Sequence, residues 1–490
     1  MSDDHANMKN GVMIQFFEWE LPNTGDLWKK LEAEAGHLAG LGISAVWIPP
    51  AGKAQMQDDV GYASYDLYDL GEFDQKGTVR TKYGTRAELL RAIESLHSHG
   101  ISVYLDAVMN HKAGADEKER FRVREVDENN RDEEISDTYE MEGWTRFTFP
   151  GRGGKYSDFT WHWYHFTGTD YDAGRDDSGI YKIQGEGKEW SNNVDDENGN
   201  YDYLMCANID YHHPEVVEEM KRWGIWVVRE LQLDGFRLDA IKHINTDFIR
   251  DFICTMRATF GEQFYFVGEY WKDAPDDLSA YLAAEDYAMD LFDVTLHYHF
   301  AEASEQGAEY DLRQLLDGAL VSTHPALAVT FVDNHDSQPG QSLESTVRDW
   351  FKPAAYALIL LMEKGYPCVF YGDYYGIGGK EAIHRHTLDI LLKLRSTMAY
   401  GPQDNYFDSP GCVGFVRRGT AEHPNSGLAV LISNGEEAAK QMHVGTEHAG
   451  QIWKDALQTC PDEITIDEEG NGLFRVPAGK VAVYTGILPC

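Results

Sequence analysis

Residues 234–243 read DGFRLDAIKH, and this stretch decides the fold of the chain. Gly235 opens an apolar strand in which Arg237 and Asp239, two positions apart, lie on the same face. Charged side chains on a buried strand must be paired and hydrogen-bonded, or must lie where the strand opens into a cleft. A buried Arg–Asp salt bridge would by itself explain the pair, so the reading of this stretch depends on its neighbours.

Three other apolar runs end in the same way. SVYLDAVMNH carries Asp106 and His111, YFVGEYW carries Glu269, and LAVTFVDNHD ends in His335 and Asp336. In a barrel of eight parallel strands, each followed by a helix, catalytic groups come from the C-terminal ends of several strands. We therefore expect these carboxylates at one shared mouth. Such a set suits chemistry at an acetal, where one acid protonates the leaving oxygen and one carboxylate attacks the anomeric carbon.

The four stretches, in this order, resemble the signature regions of the α-amylase family of glycoside hydrolases. The resemblance runs from about Gly11 to the C-terminal strands and is closest to the liquefying bacterial-type members, through FFEWE, VGYASYDLYDLGEF, WHWYHF, ENGNYDYLM and GYPCVFYGD. It implies an α/β fold: a (β/α)8 TIM barrel with an inserted β-rich domain after the third strand and a C-terminal antiparallel β-sandwich. It also implies endo-acting, retaining hydrolysis of α-1,4 bonds in starch, glycogen and maltodextrins through a glycosyl-aspartate intermediate.

The rhythm of strands and helices predicts where these domains begin and end. We expect the barrel in two parts, 1–111 and 212–398, with the insert at 112–211 and the sandwich at 399–490. Turn residues between short alternating runs indicate the last domain. Within the second barrel part, LFDVTLHY (291–298) is interpreted as the sixth strand and 312–320 as a helix.

The resemblance assigns three catalytic roles. Asp239 is the nucleophile, Glu269 the general acid and base, and Asp336 the group that stabilises the transition state. Arg237, two residues from Asp239, is expected to lower the pKa of the nucleophile, whereas apolar cover and neighbouring carboxylates are expected to raise the pKa of Glu269.

A second set of residues is expected to bind the sugar chain. His111, His335 and Tyr62 resemble the groups of the cleaved subsite, and Trp271 and Lys242 match positions on the leaving-group side. A buried core tyrosine is the alternative for Tyr62. The substrate-binding set implied by the resemblance is Arg237, His111, His335, Tyr62, Trp271, Lys242 and Asp106.

The expected metal site departs from the family pattern. The family's calcium bridges barrel and insert through positions that are here Asn110, Asp202, Asn208 and the backbone carbonyl of His243. Asn208 stands where a carboxylate is usual; its amide oxygen still suits a hard cation, with weaker binding. Further acidic ligands of a metal cluster are replaced by Thr167 and Ser191. We therefore expect one calcium ion and no cluster.

Composition limits the partners. A net charge of -39 disfavours nucleic acid and anionic membranes and suits a neutral α-glucan substrate. The start MSDDHANMKNGVMIQFF lacks a signal-peptide pattern, so we expect a cytoplasmic monomer, or a secreted one if a signal was removed. The six cysteines form neither a zinc motif nor a disulfide scaffold, although Cys460 and Cys490 are a possible pair.

Three alternatives stay open on sequence alone. An α-1,4-glucanotransferase uses the same catalytic set and differs in its acceptor, which is a sugar instead of water. A catalytically inactive barrel that only binds glycan or a protein partner is disfavoured because all three carboxylates are present. A metalloenzyme on the same barrel is disfavoured because the expected histidine and carboxylate ligands are missing.

Overall fold

The chain begins with the first βα units of a barrel. The computed structural model describes residues 10–486. The opening elements are β1 Met13–Gln15, α1 Leu27–Leu41, β2 Ala45–Ile48, the two-stranded pair β3 Lys53–Ala54 and β4 Ser64–Asp66, α2 Arg86–Ser98 and β5 Ser102–Ala107. Helix α1 stops where Gly42 adopts a left-handed conformation, and α2 starts at a capping box between Thr85 and Glu88.

An inserted sheet follows β5. Its six strands lie in the order β6-β11-β9-β10-β7-β8. Their bounds are β6 His111–Lys112, β7 Glu117–Val126, β8 Tyr139–Arg146, β9 Phe166–Asp172, β10 Asp177–Gln184 and β11 Ala207–Ile209. The expectation that this long segment forms its own sheet is confirmed. Because β6 starts at His111, the insert is anchored beside the end of a barrel strand.

The chain then completes the barrel. The elements are α3 Pro214–Leu231, β12 Gly235–Leu238, α4 Thr246–Phe260, β13 Tyr265–Gly268, α5 Pro275–Ala284, β14 Asp290–Phe292, α6 Val294–Gln306, α7 Leu320–Thr323, β15 Ala328–Phe331, α8 Lys352–Leu361, β16 Tyr366–Phe370, α9 Tyr371–Tyr375 and α10 Arg385–Thr397. The strands close in the order β1-β16-β15-β14-β13-β12-β5-β2, which confirms the eight-stranded parallel barrel.

Two predictions in this part are wrong. The sixth strand is only Asp290–Phe292, and most of LFDVTLHY belongs to helix α6, because the Asp293 side chain accepts from Leu296 N and caps a helix there. The segment 312–320 is a short 3₁₀ turn, Leu312–Gln314, followed by α7 from Leu320.

Residues 403–485 form β-strands, with one short 3₁₀ turn at Thr446–His448. A six-stranded sheet has the order β17-β18-β19-β24-β21-β22, and β20 pairs with β23. The strands are β17 Gln403–Ser409, β18 Cys412–Arg417, β19 Leu428–Ser433, β20 Ala438–His443, β21 Ile452–Asp455, β22 Ile464–Thr465, β23 Asn471–Val476 and β24 Val481–Thr485. An apolar cluster that includes Val416, Leu431 and Trp453 fills it.

Two expectations about the whole chain meet the structure here. Among the described residues, every helix is too short or too polar to cross a lipid bilayer. Among residues 10–486 Cys460 has no disulfide partner, and its possible partner Cys490 lies outside the described residues.

Candidate active site

Arg237 is the centre of the site. It lies on β12 opposite Asp106 of β5, in register, and it is fully buried. Its Nη1 donates to Asp106 Oδ1 at 2.8 Å and to Asp239 Oδ1 at 2.5 Å, and its Nη2 donates to Glu269 Oε2 at 2.9 Å. One planar guanidinium therefore binds carboxylates from β5 and from the residues that directly follow β12 and β13.

Both carboxylate oxygens of Asp106 accept hydrogen bonds. Its Oδ2 accepts from Tyr62 Oη at 2.8 Å and from Trp47 Nε1 at 3.1 Å, while its Oδ1 is taken by Arg237. With both oxygens engaged and the side chain buried, Asp106 orients Arg237 and Tyr62 and does not face the cleft.

Glu269 is held by the backbone as well as by Arg237. The N–H of Ala240 donates to Glu269 Oε2 at 2.9 Å. Ala240 adopts a left-handed conformation (φ 50°), which is unfavourable for a residue with a Cβ. This strained turn directly after Asp239 aims the N–H at Glu269 and leaves Oε1 outside these contacts.

Burial controls the pKa values of the three carboxylates. It raises the pKa of Asp239 to about 6, with Asp106 adding to the rise and Arg237 opposing it. Arg237 lowers the pKa of the nucleophile, as expected, but the net shift is upward because desolvation outweighs the ion pair. The pKa of Glu269 is raised, as expected, and that of Asp336 is raised well above its usual range.

His335 stands between Asp336 and a glutamine of β1. Its Nε2 is 3.3 Å from Asp336 Oδ2, and its Nδ1 is 2.9 Å from the amide nitrogen of Gln15. Burial, followed by the positive charge of Arg237, keeps the pKa of His335 well below its usual range. The ring is therefore neutral at working pH.

Aromatic rings line the same region. Tyr62 stacks on His335 with centroids 5.1 Å apart, and Trp19 stacks on Tyr62 at 5.6 Å with an interplanar angle of 3°. Trp19 lies in FFEWE, which carried the family resemblance without a role for this residue. Sequence reasoning also missed Gln15 and Trp47, which look like ordinary residues of short buried strands.

The remaining expected substrate residues lie nearby. Trp271 Nε1 donates to Tyr298 Oη at 3.0 Å, and Lys242 Nζ lies 2.9 Å from Glu197 Oε2 and 3.2 Å from the Trp271 carbonyl oxygen. Trp271 and Lys242 are therefore brought together, as their shared assignment requires. His111, by contrast, has both ring nitrogens in contact with the protein. Its Nε2 donates to the Tyr62 carbonyl oxygen at 2.8 Å, and its Nδ1 faces the Asn110 amide nitrogen at 3.3 Å.

The expected calcium residues are contiguous. Asn110 Nδ2 donates to Asn208 Oδ1 at 3.1 Å, and Asn208 Nδ2 donates to Thr167 Oγ1 at 2.9 Å. His243 Nδ1 donates to the carbonyl of Tyr201 at 2.8 Å, next to Asp202. Within residues 10–486, the buried Asp202 Oδ2 has no hydrogen-bond partner. A hard cation would bind this oxygen, so the oxygen ligands at this site fit calcium.

A different group of possible metal ligands lies close by. His165, His213 and Glu215 place ligand atoms within 4.8 Å of one another. Ring nitrogens suit transition metals, not calcium. His165 Nδ1 accepts the N–H of His162 at 3.1 Å, which leaves the ring proton on Nε2. This triad is therefore a poorer calcium site than the oxygen donors around Asp202.

The arrangement supports acid, base and nucleophilic chemistry on one face. Burial raises the pKa of Glu269 and also raises that of Asp239, to about 6. Two carboxyl groups with raised pKa values beside a third acid and a stacking tyrosine are the groups that glycosidic cleavage requires.

Comparisons with known proteins agree with this chemistry. The family described as "Alpha amylase, catalytic domain" matches residues 22–405, and "Alpha-amylase C-terminal" matches 428–485. The chain is 53% identical to an α-amylase of Bacillus licheniformis over 98% of this chain and 94% of that protein. It is 44% identical to a cytoplasmic α-amylase of Escherichia coli over 97% of this chain and 99% of that one.

A solved structure shows the same fold. The match to an Anoxybacillus α-amylase covers 98% of each chain, with a TM-score of 0.64 and 17% sequence identity. The barrel, the carboxylates around Arg237 and the family match over most of the sequence together show that the chain belongs to the α-amylase family of glycoside hydrolases.

Proposed function

We propose that the chain is an endo-acting, retaining α-amylase that hydrolyses internal α-1,4-glucosidic bonds of starch, glycogen and maltodextrins. The observation that carries this proposal is the arrangement of Asp239 and Glu269 on one guanidinium, with Asp336 near enough to interact electrostatically with both. The α-amylases among the relatives support the reaction class.

In the first step, Glu269 donates its proton to the glycosidic oxygen while the ionised Asp239 attacks the anomeric carbon. The bond to the leaving sugar breaks and a glycosyl-aspartate ester forms. Glu269, now a carboxylate, then removes a proton from water, and the water oxygen attacks the same carbon. The ester bond to Asp239 breaks, and the sugar is released with retained configuration at that carbon. Asp336, once it has lost its proton, stabilises the positive charge that develops on the sugar ring.

The test compares the intact protein with Asp239→Asn on soluble starch. We expect rapid viscosity loss with α-configured oligosaccharides, and a loss of at least about 10⁴-fold in rate for the variant. Asp317→Asn, an exposed carboxylate outside the site, is the matched control and should keep full activity. Equal activity in the parent protein and in the Asp239→Asn variant would refute the mechanism.

A second assay decides between hydrolysis and transfer. Incubation with maltoheptaose should give only shorter products if water is the acceptor. Products longer than the starting material would identify an α-1,4-glucanotransferase, with Asp239 and Glu269 in unchanged roles.

We also propose one calcium ion held by Asn110, Asp202, Asn208 and the carbonyl of His243. When bound, calcium would supply positive charge that ties the insert to the barrel. Thr167 and Ser191 do not add carboxylates, and Lys188 pairs with Asp210 at the same junction, so a cluster is disfavoured. Emission analysis should find one calcium per chain; several tightly bound ions would contradict this.

Monomeric state and a cytoplasmic location complete the proposal. The location is supported by the relative that is called cytoplasmic. Light scattering of the purified chain and fractionation of the source cells test the two statements directly.

A further inference from the structure

Gln15 contacts a residue of the site and has no assigned role. It lies on β1, where it pairs in register with Trp47 of β2, and its side chain is buried. Its amide nitrogen is 2.9 Å from His335 Nδ1. A buried amide aimed at an imidazole nitrogen determines which nitrogen of the ring carries the proton.

We propose that Gln15 is a positioning residue that holds His335 in the tautomer with its proton on Nε2, so that this N–H is available to a hydroxyl of the bound sugar. The inference rests on the proposed function for its substrate, but its structural half concerns only the contact between Gln15 and His335.

The surroundings of Nε2 favour this tautomer. Nε2 is 3.3 Å from Asp336 Oδ2, so a proton on Nε2 faces a carboxyl oxygen that can accept it. The opposite amide orientation would have Gln15 accept a proton from Nδ1, and a lone pair on Nε2 would then face the carboxyl oxygen of Asp336.

The donor on Nε2 is also unused. In the part of the chain that the structure describes, the buried Nε2 has no well-aligned hydrogen-bond partner. An unpaired buried donor is costly unless another molecule satisfies it. A sugar hydroxyl stacked against Tyr62, whose ring lies parallel to that of His335, would be placed to accept it.

The ring has little freedom to choose another orientation. Phe17 lies 4.9 Å and Trp47 5.7 Å from the His335 ring centroid, and Tyr62 covers one face. The charges nearest to the ring are Arg237 of β12 and Asp336 of its own loop. Since the ring is neutral in this environment, it has a single N–H, and Gln15 decides its position.

The first experiment measures the tautomer directly. Nitrogen NMR of the full chain labelled with ¹⁵N-histidine, without substrate, should show His335 protonated on Nε2; the His335→Gln variant identifies its signal. Gln15→Met removes the amide and should give a mixture of tautomers. Gln75→Met, which removes a buried glutamine bonded to Asp66 and Asp69, should leave the signal unchanged. A proton on Nδ1 in the parent, or an unchanged tautomer in Gln15→Met, would overturn the inference.

The second experiment separates positioning from stability. Gln15→Met should lower kcat/KM on maltoheptaose by roughly tenfold, at every pH, because the N–H is no longer held on Nε2. In Gln15→Glu the new carboxylate accepts a proton from Nδ1, so the neutral ring presents a lone pair at Nε2 and only the protonated ring keeps a donor there. The relative activity of Gln15→Glu should therefore fall as pH rises.

The outcomes are distinguishable from failure of the proposed function. An Nε2 tautomer that changes in Gln15→Met, in a chain that does not hydrolyse maltoheptaose, refutes the amylase reaction and leaves the contact intact. Parallel loss of activity by both variants at every pH, matched by their loss of thermal stability, would reduce Gln15 to a packing residue and refute the inference. If Gln15→Glu fails to fold, Gln15→Met still decides the tautomer.

Discussion

Two buried charge clusters are joined by the loop after β15. The Arg237 cluster consists of Arg237, Asp106, Asp239, Glu269 and Asp336, and the Lys352 cluster consists of Lys352, Asp333, Asp373, Tyr356 and Ser337. Asp333 precedes Asp336 by three residues, so one loop contributes a carboxylate to each cluster. Both clusters are made of acids around a single cation, yet only one faces the cleft.

The Lys352 cluster is closed and nearly balanced. The Lys352 ammonium lies 2.8 Å from Asp333 Oδ2 and also contacts Asp373. Tyr356 donates to Asp373 Oδ2 at 2.7 Å, and Ser337 donates to Asp333 Oδ1 at 3.0 Å. Here the acids are tied to neutral donors as well as to the cation, which is typical of a structural site.

The Arg237 cluster has four carboxylates for one cation, and some of them reach the cleft. The Asp336 side chain is 18% exposed, whereas that of Asp333 is 1% exposed. Burial raises pKa values in both clusters, that of Asp333 to about 7, so a raised pKa does not by itself mark the catalytic cluster. The comparison teaches that the surplus of carboxylates and their access to the cleft, not burial alone, distinguish the catalytic cluster.

Removing the cation of the closed cluster should give the largest loss of stability. Lys352→Met leaves Asp333 and Asp373 buried without a positive charge, which costs about 3–5 kcal/mol. Thermal unfolding followed by circular dichroism should show a clear fall in Tm. The triple variant that adds Asp333→Asn and Asp373→Asn should recover most of it. An unchanged Tm in Lys352→Met would mean that the cluster is not structural.

The pH dependence of activity should report on the Arg237 cluster alone. Asp239 must be ionised to attack, and burial raises its pKa to about 6, so kcat/KM should fall as pH falls through about 6. The pKa of Glu269 is raised, and the rate should fall again when this acid loses its proton at higher pH.

A substitution in each cluster sharpens this expectation. Asp106 raises the pKa of Asp239, so Asp106→Asn should move the acid limb down by roughly one unit, besides lowering the rate. Asp333→Asn is the matched control, because it removes a carboxylate from the Lys352 cluster, and its acid limb should stay near 6. Equal shifts of the acid limb in both variants would show that the charges of the two clusters are coupled.

Much of this site follows from the sequence, for a physical reason. Arg237 and Asp239 are two residues apart on a short strand, so their shared face follows from strand geometry. The meeting of Asp239, Glu269 and Asp336 follows from the rule that parallel barrel strands end at one mouth. The (β/α)8 order was accessible because each barrel strand is an apolar run bounded by turn residues.

Other features depend on three-dimensional context. The net pKa of Asp239 is set by desolvation, which depends on what covers the group and not on its neighbours in sequence. Helix α6 replaced most of the sixth strand because the cap at Asp293 is stronger than the β propensity of the residues that follow. Gln15 carries no sequence signal, since its role arises only when β1 meets the loop after β15.

A third cluster, at the junction with the insert, allows the smallest and most discriminating test. Burial raises the pKa of Asp202 to about 7. Asn208 has an amide at a position where a carboxylate would give this junction a surplus of acids, as in the Arg237 cluster. Asn208→Asp should bind calcium roughly fivefold more tightly, since one added charge at such a distance contributes about 1 kcal/mol. Titration calorimetry with calcium chloride measures this, with Asn405→Asp in the C-terminal sheet as a control of equal charge.

The effect of Asn208→Asp on Tm should reverse in sign when calcium is present. In chelator, two buried carboxylates repel each other, so the Tm of Asn208→Asp should lie below that of the parent, whereas in excess calcium it should lie above. The control variant should show neither shift. A Tm that falls equally in chelator and in calcium would show that the junction, like the Lys352 cluster, is complete without an added cation. A Tm that is lower in chelator and higher in calcium would instead show that the junction resembles the Arg237 cluster, because its buried acid is satisfied only by a bound ligand.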